Sequence, residues 1–347
     1  TPINHVLCEN CGYVFVPPPL RMKSDAFYRS SYNFLLDGRD DEPIDMSQGI
    51  LYSQRLVQFF GAFLQKSPSG TLLDIGAGKG NFLENVHISF PNIDLYALEP
   101  SKSFSQLAEK PFLKGAWNEF FAVELFQGRT FDFLSLIGVL EHVEDPRATL
   151  NAVRNVMHKE SYLLIEVPNF LTNDNDFFTI DHLSKFTPTS INQLFSVVGL
   201  EIVESSAPDS SVPMQYVVRL SSEARVDMKN SKGVIEMIHE RAKYGVSLVE
   251  SAKALGEKKL ALYGKTPLAL YLVTSDTIHI SDVRCMIDDN PFYAGRTWQS
   301  QVPIMSFEEF SRSSERLPVL LTLSNCYHKY VIQKLQGFQV FGVRNDE

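Results

Sequence analysis

The sequence predicts an α/β protein: a doubly wound, seven-stranded sheet followed by a second, smaller Rossmann-like α/β domain, with a short cysteine-knuckle segment in front. Three observations carry this prediction. Leu72 to Gly80 reads Leu-Leu-Asp-Ile-Gly-Ala-Gly-Lys-Gly, an apolar run that ends in an acid and then in glycines at alternate positions. Apolar runs and helix-patterned stretches then alternate as far as Leu220, the order required by a sheet with helices on both faces. The same strand-to-glycine and strand-to-acid grammar starts afresh at Lys259-Leu-Ala-Leu-Tyr-Gly264 and Arg284-Cys-Met-Ile-Asp-Asp-Asn-Pro291. The implied segments are a zinc-ribbon-like 1–20, cap helices over 21–66, a first domain over 67–222 and a second over 223–347.

Composition narrows the class. At 347 residues, with 44% hydrophobic and 21% charged residues, the chain can bury two ordinary cores. No apolar run approaches the roughly 20 residues of a membrane span, and the N-terminus lacks signal-peptide character, so a soluble cytoplasmic enzyme is expected. A net charge of −9 without a Lys/Arg stripe argues against nucleic acid as a partner and leaves a small molecule. Four cysteines are too few and too scattered for a disulfide scaffold.

In chain order, Cys8-Glu-Asn-Cys11 is a Cys-x-x-Cys knuckle, half of a tetrahedral zinc site. It reads either as structural zinc with a further pair outside the numbered residues, as a site filled by His5 or a partner, or as free thiols. Ser24 to Leu36 is aromatic, and Gln48 to Leu64 has helical apolar spacing. Leu72 to Ile75 suits a strand buried on both faces. Gly76, Gly78 and Gly80 allow a sharp turn and close backbone approach to a ligand, and a helix beginning near Asn81 turns its free N–H groups toward it. A buried strand and a glycine turn that bind nothing fit the same residues. Asp94 to Leu98 is the next strand, ending in Glu99-Pro100, 19 residues after Gly80, the spacing of an acid that accepts from ribose hydroxyls. A helix from Ser101 to about Lys110, a strand at Phe112 to Gly115, the strand Phe131 to Ile137, a helix opening at Pro146, and strands at Tyr162 to Val167, Leu200 to Glu204 and Gln215 to Leu220 complete the sheet. Between the fifth strand and the next helix, Asp174 to Pro188 forms a long loop carrying Asp181-His182, at the end of the sheet where open α/β folds build their sites. An imidazole there can take a proton near neutral pH, although capping or packing would explain the pair equally well.

Asp74-Ile-Gly-Ala-Gly-Lys-Gly80, Leu98-Glu99-Pro100 and Val139-Leu-Glu-His-Val-Glu-Asp-Pro146, in that order, resemble the motifs of class I S-adenosylmethionine-dependent methyltransferases. The resemblance implies a cofactor held by Asp74, Gly76, Ala77, Gly78, Gly80, Glu99, Pro100, Trp117, Ile137, Gly138, Val139 and His142. It also implies an aromatic ring over the sulfonium, for which Tyr28, Tyr32 and Tyr52 are candidates. With Asp181-His182-Leu183-Ser184, Asp289-Asn290-Pro291, Gly295-Arg296 and Val302-Pro303-Ile304, nearly the whole chain is similar to the nucleotide-sugar C-methyltransferases. Those enzymes remove a proton beside a sugar carbonyl using a Tyr and a His three residues apart. Here the catalytic candidates are His182, Asp181 and Thr179, the last standing where the family has Tyr. Glu141 and His142 are weaker candidates, for an oxygen or nitrogen nucleophile. The alternatives are an O- or N-methyltransferase of another metabolite and a cofactor-binding partner protein without catalysis.

Overall fold

The computed structural model describes residues 4–18, 26–31, 50–207, 213–221, 232–255, 258–293, 295–313, 315–324 and 327–343. Tyr32 lies outside them. The chain divides into two compact units, one made of 5–169 with 181–231, the other chiefly of 170–180 with 232–347.

The first unit is built on a seven-stranded sheet. Its strands are β3 (Thr71–Ile75), β4 (Asp94–Leu98), β5 (Leu113–Trp117), β6 (Phe131–Ile137), β7 (Met157–Val167), β9 (Leu200–Ser205) and β10 (Met214–Leu220). The order is β5-β4-β3-β6-β7-β10-β9, parallel from β5 to β7, with β10 antiparallel to both neighbours. Seven strands were expected, and the last two are the Leu200 and Gln215 runs. The central strand β3 buries Leu72, Leu73, Asp74 and Ile75, as an apolar run covered on both faces must. Helix α1 (Tyr52–Leu64) lays Leu56, Phe60 and Leu64, one turn apart, against Leu72 and Phe133 on one face. On the other, α3 (Pro146–Arg154) and α4 (Pro188–Val197) contribute Leu150, Val153, Ile191 and Phe195 to a core with Leu134 and Leu163. Both start as their sequences dictate: proline sits in the first turn, and Asp145 and Thr187 accept the Ala148 and Ser190 amides. The helix α2 (Asn81–Ser89) follows the glycine turn. The helix expected over Ser101 to Lys110 is only one turn, Phe104–Leu107. The Ser101 hydroxyl diverts the Ser103 amide into a local turn, and Pro111 stops any extension.

A second, three-stranded sheet joins the N-terminus to the His182 loop. Strands β1 (Val6–Leu7) and β2 (Val14–Phe15) form the cysteine hairpin, and β2 pairs antiparallel with β8 (Ser184–Lys185), Val14 opposite Lys185 and Phe15 opposite Ser184. The Val16 amide donates to the Leu183 carbonyl at 2.9 Å, and the Tyr13 hydroxyl meets that of Ser184 at 2.5 Å. No part of the sequence pattern announced this pairing.

The second unit is the predicted smaller α/β domain. Strands β11 (Leu260–Tyr263), β12 (Val283–Ile287), β13 (Thr297–Trp298), β14 (Val302–Met305), β15 (Val319–Leu321) and β16 (Val340–Phe341) run in the order β13-β14-β12-β11-β15-β16, parallel except for the β13 edge. The turn at Gly264 (φ 108°) is closed, because a Cβ there would lie 2.4 Å from Leu323 Cδ2. Residues 170–180 belong to this unit, although the predicted boundary at 222/223 assigns them to the first. Asp174 is ion-paired with Arg241 of the long helix α5 (Lys232–Ala254) in the interior. Asn175 donates to the Thr322 carbonyl at 3.1 Å and accepts the Leu268 amide at 3.2 Å, at the start of helix α6 (Pro267–Thr274).

Candidate active site

The glycine turn leaves β3 and leans over β4: the Gly76 and Ala77 amides both donate to the Leu98 carbonyl, at 2.7 and 3.0 Å. Gly76, Gly78 and Gly80 all have positive φ (79°, 55° and 82°), which L side chains resist. Space is restricted as well, since a Cβ on Gly76 would lie 2.5 Å from Val139 Cγ2. Glu99 is buried, and its carboxylate accepts the Gly78 amide at 2.7 Å and the Ser101 amide at 2.8 Å. It therefore braces the turn besides being available to a ribose, as each carboxylate oxygen has a second lone pair. Asn118 fixes the neighbouring backbone by donating to the Glu99 carbonyl at 2.8 Å. The partly buried Trp117 ring packs with Tyr96 and Phe126 against the core. Asp74 accepts a hydrogen bond from Ser135 at 2.7 Å, but burial, aided by the nearby charge of Glu99, pushes its carboxyl up to about 7. A cradle of positive-φ glycines, a helix N-terminus and two buried acids suits a ligand with hydroxyls and a cationic amino group, which S-adenosylmethionine carries.

Beside this turn lies a polar cluster. Strand β6 ends at Ile137; Gly138 turns at φ 62°, its amide donating to the Glu166 carbonyl at 3.0 Å, and Val139 packs on Gly76. Leu140 is fully buried, which anchors Glu141 and His142 at the edge of the glycine turn. Glu141 is 3% exposed, and its carbonyl accepts the Ser184 amide at 3.0 Å. His142 Nδ1 lies 3.0 Å from the Asp181 carbonyl and 2.7 Å from the Tyr28 hydroxyl. A carbonyl only accepts, so Nδ1 carries a proton. Tyr28 donates onward toward the Asp181 carboxylate at 3.5 Å. The His142 and His182 rings meet edge to face at 4.7 Å, and the buried Lys185 ammonium donates to the His182 carbonyl at 2.8 Å. The predicted Asp181 and His182 are thus together with His142, and Glu141 is part of the same cluster. Thr179 belongs to the second unit, where its hydroxyl donates to the Asn175 carbonyl at 3.1 Å. A phenol does reach the cluster, from Tyr28 of the N-terminal segment.

Tyr52, the other described aromatic candidate for the sulfonium, hydrogen-bonds Glu166, whose second oxygen accepts Gln215 Nε2 at 2.7 Å. Burial pushes the Tyr52 hydroxyl well above its ordinary value, with Glu166 adding to it, and burial likewise raises Glu166. Sequence reading missed Glu166 and Gln215. The available signal was an acid inside the apolar run Tyr162 to Val167, since a carboxylate in a strand covered on both faces needs a partner.

The cysteine knuckle is formed at the hairpin tip. The Cys8 amide donates to the Tyr13 carbonyl at 2.8 Å and the Gly12 amide to the Cys8 carbonyl at 2.9 Å. Burial pushes the Cys8 thiol up, but amides of Asn10 and Cys11 donating to its sulfur hold it below the ordinary thiol value; burial raises Cys11. Among the described residues no third donor joins these two, so they provide half of a tetrahedral zinc site.

Comparison with known proteins gives the class. Residues 48–205 match the Methyltransferase domain family. The protein is an S-adenosylmethionine-dependent methyltransferase, with a class I methyltransferase domain in that region. A search of the curated proteins finds no match. Among solved structures, an S-adenosylmethionine-dependent methyltransferase from Clostridium acetobutylicum is 12% identical over 51% of this chain and 95% of its own, with a TM-score of 0.42. A putative methyltransferase from Haloferax volcanii, in complex with the Trm112 activator, is 15% identical over 58% and 99%, TM-score 0.41. A methyltransferase of calicheamicin biosynthesis is 19% identical over 48% and 54%, TM-score 0.37. Among the described residues no helix is long and apolar enough to cross a membrane.

Proposed function

We propose that the enzyme methylates carbon beside the carbonyl of a nucleotide-linked keto sugar, with the substrate facing Tyr28, Glu141, His142, Asp181 and His182. The observation that carries this reading is the cluster itself: two imidazoles and two carboxylates beside the glycine turn, a provision for removing the firmly held proton of a carbon acid. S-adenosylmethionine, held by Asp74, the three glycines and Glu99, supplies an electrophilic methyl group. The protein orients the acceptor, excludes water and manages the proton. His182 and Asp181 are the groups available to take it, and Tyr28, linked to both His142 and Asp181, can donate a hydrogen bond to an enolate oxygen. Tyr28 supplies the phenol for which the loop has only Thr179. The Cys8/Cys11 knuckle takes zinc in this reading only with donors beyond the described residues.

Solvent exchange tests it. Given a keto sugar nucleotide and S-adenosylhomocysteine in D₂O, the enzyme should exchange the proton beside the carbonyl, because deprotonation does not require the methyl group. His182→Asn should lower exchange and turnover together by ~10² to 10⁴ while cofactor affinity persists. Turnover without exchange, retained in His182→Asn, would falsify carbon methylation and favour an oxygen or nitrogen acceptor.

A further inference from the structure

We propose that Glu141, His142 and His182 bind a divalent transition-metal cation, which holds the substrate oxygen next to the reacting atom. The position of the substrate rests on the reading above; the cation site does not. One donor atom from each residue lies within 4.8 Å of the others, and no second such group of three occurs among the described residues. Two imidazoles and one carboxylate, leaving the remaining positions open, are a ligand set for first-row divalent ions that also admit a substrate.

The surroundings of His142 match those of a ligating histidine. Metal-binding imidazoles have their other nitrogen held by a carbonyl, carboxylate or similar acceptor, which fixes the tautomer and raises basicity. Here Nδ1 is held by the Asp181 carbonyl at 3.0 Å and Tyr28 at 2.7 Å, with the Asp181 carboxylate at 3.5 Å. Nε2 faces Glu141 Oε1 at 4.0 Å. Neighbouring ligands around a tetrahedral ion with bonds near 2.1 Å stand about 3.4 Å apart, a contraction that side-chain rotation provides. The backbone is already fixed: Glu141 follows buried Leu140, its carbonyl takes the Ser184 amide, and Lys185 holds the His182 carbonyl.

With the cation in place, His182 is a ligand rather than the base. The proton from the substrate carbon passes to the Asp181 carboxylate, and the electron pair of the broken C–H bond moves to the cation-bound carbonyl oxygen, giving an enolate. The cation stabilises that charge as a Lewis acid.

The test is titration of the full chain, bound to S-adenosylhomocysteine, with Mn²⁺ followed by electron paramagnetic resonance. Manganese is chosen because soft thiolates such as Cys8 and Cys11 bind it poorly. The expected result is one ion per chain with pulsed-resonance modulation from two imidazole nitrogens, weakened at least tenfold in Glu141→Gln and in His182→Asn. Tyr28→Phe, which removes the hydroxyl beside His142 Nδ1 but no proposed ligand, should weaken it by ~10-fold. Undiminished S-adenosylhomocysteine affinity shows that each variant is folded, and the wild-type spectrum is decisive by itself if one is not. Absence of binding, absence of nitrogen coupling, or unchanged affinity in both ligand variants overturns the proposal. Manganese binding without carbon-proton exchange leaves the cation site standing and removes the keto-sugar reading. Exchange that depends on His182 in a protein that binds no cation does the reverse.

Discussion

Among the described residues, Asp74 has no partner of opposite charge to offset its burial; the Ser135 hydroxyl supports it, and its carboxyl rises from 3.8 to about 7. Because the native state holds this proton more tightly, the stability it contributes is complete below about pH 4, declines as pH rises, and is lost above about 7. The loss amounts to roughly 4 kcal/mol. Asp74→Asn accepts the same Ser135 bond and is neutral throughout. Urea unfolding of the ligand-free protein should find variant and wild type close at pH 4 and the variant more stable at pH 8; a constant difference at both would mean that Asp74 titrates normally. At this scale the sequence revealed identity more readily than partnership. Glycines at alternate positions and an acid 19 residues later marked the turn after β3. The bracing of that turn by the Glu99 carboxylate was invisible, because it depends on how β4 ends beside β3.

Among the elements, the strands and main helices of the sheet were legible because buried strands are apolar runs and their helices carry proline and capping signals. The pairing of β2 with β8 was not, since two residues on each side have no periodicity. Yet this small ladder holds the segment carrying His182. Val16→Pro removes the amide that donates to Leu183 and leaves the side chain's volume nearly unchanged. It should lower turnover several-fold while S-adenosylhomocysteine affinity holds, and speed amide exchange in residues 183–185. Unaltered exchange there would mean that the loop is fixed by its other bonds, including Glu141 to Ser184. The cluster's membership was hidden for a related reason: Tyr28 and His142 are 114 residues apart, and only the fold brings them within 2.7 Å.

For the molecule as a whole, the two-domain plan was readable from the repeated strand-to-glycine grammar, but not the path of the chain. Residues 170–180 leave the methyltransferase unit to pair with Arg241 and cap α6 before the chain returns at Asp181. An interior ion pair stripped of one partner typically costs about 3–5 kcal/mol. Asp174→Ala should therefore destabilise the second unit by that order, with amides of β11 and β15 losing protection against exchange before those of β3 and β4. Equal loss in both sets would show that the segment stabilises the two units jointly.

The three-stranded sheet also has a consequence for biosynthesis. Its first two strands are complete by Phe15, whereas the third begins at Ser184. At about 5–20 residues per second, the ribosome needs on the order of ten seconds or more to span that interval. Throughout it, the backbone edge of Val14 and Phe15 has no strand to pair with, the condition in which a nascent chain is open to chaperones and to misplaced strand pairing. Docking of the hairpin is thus a late event, and the segment that carries His182 takes its final form only when the oldest and the newer parts of the unit meet.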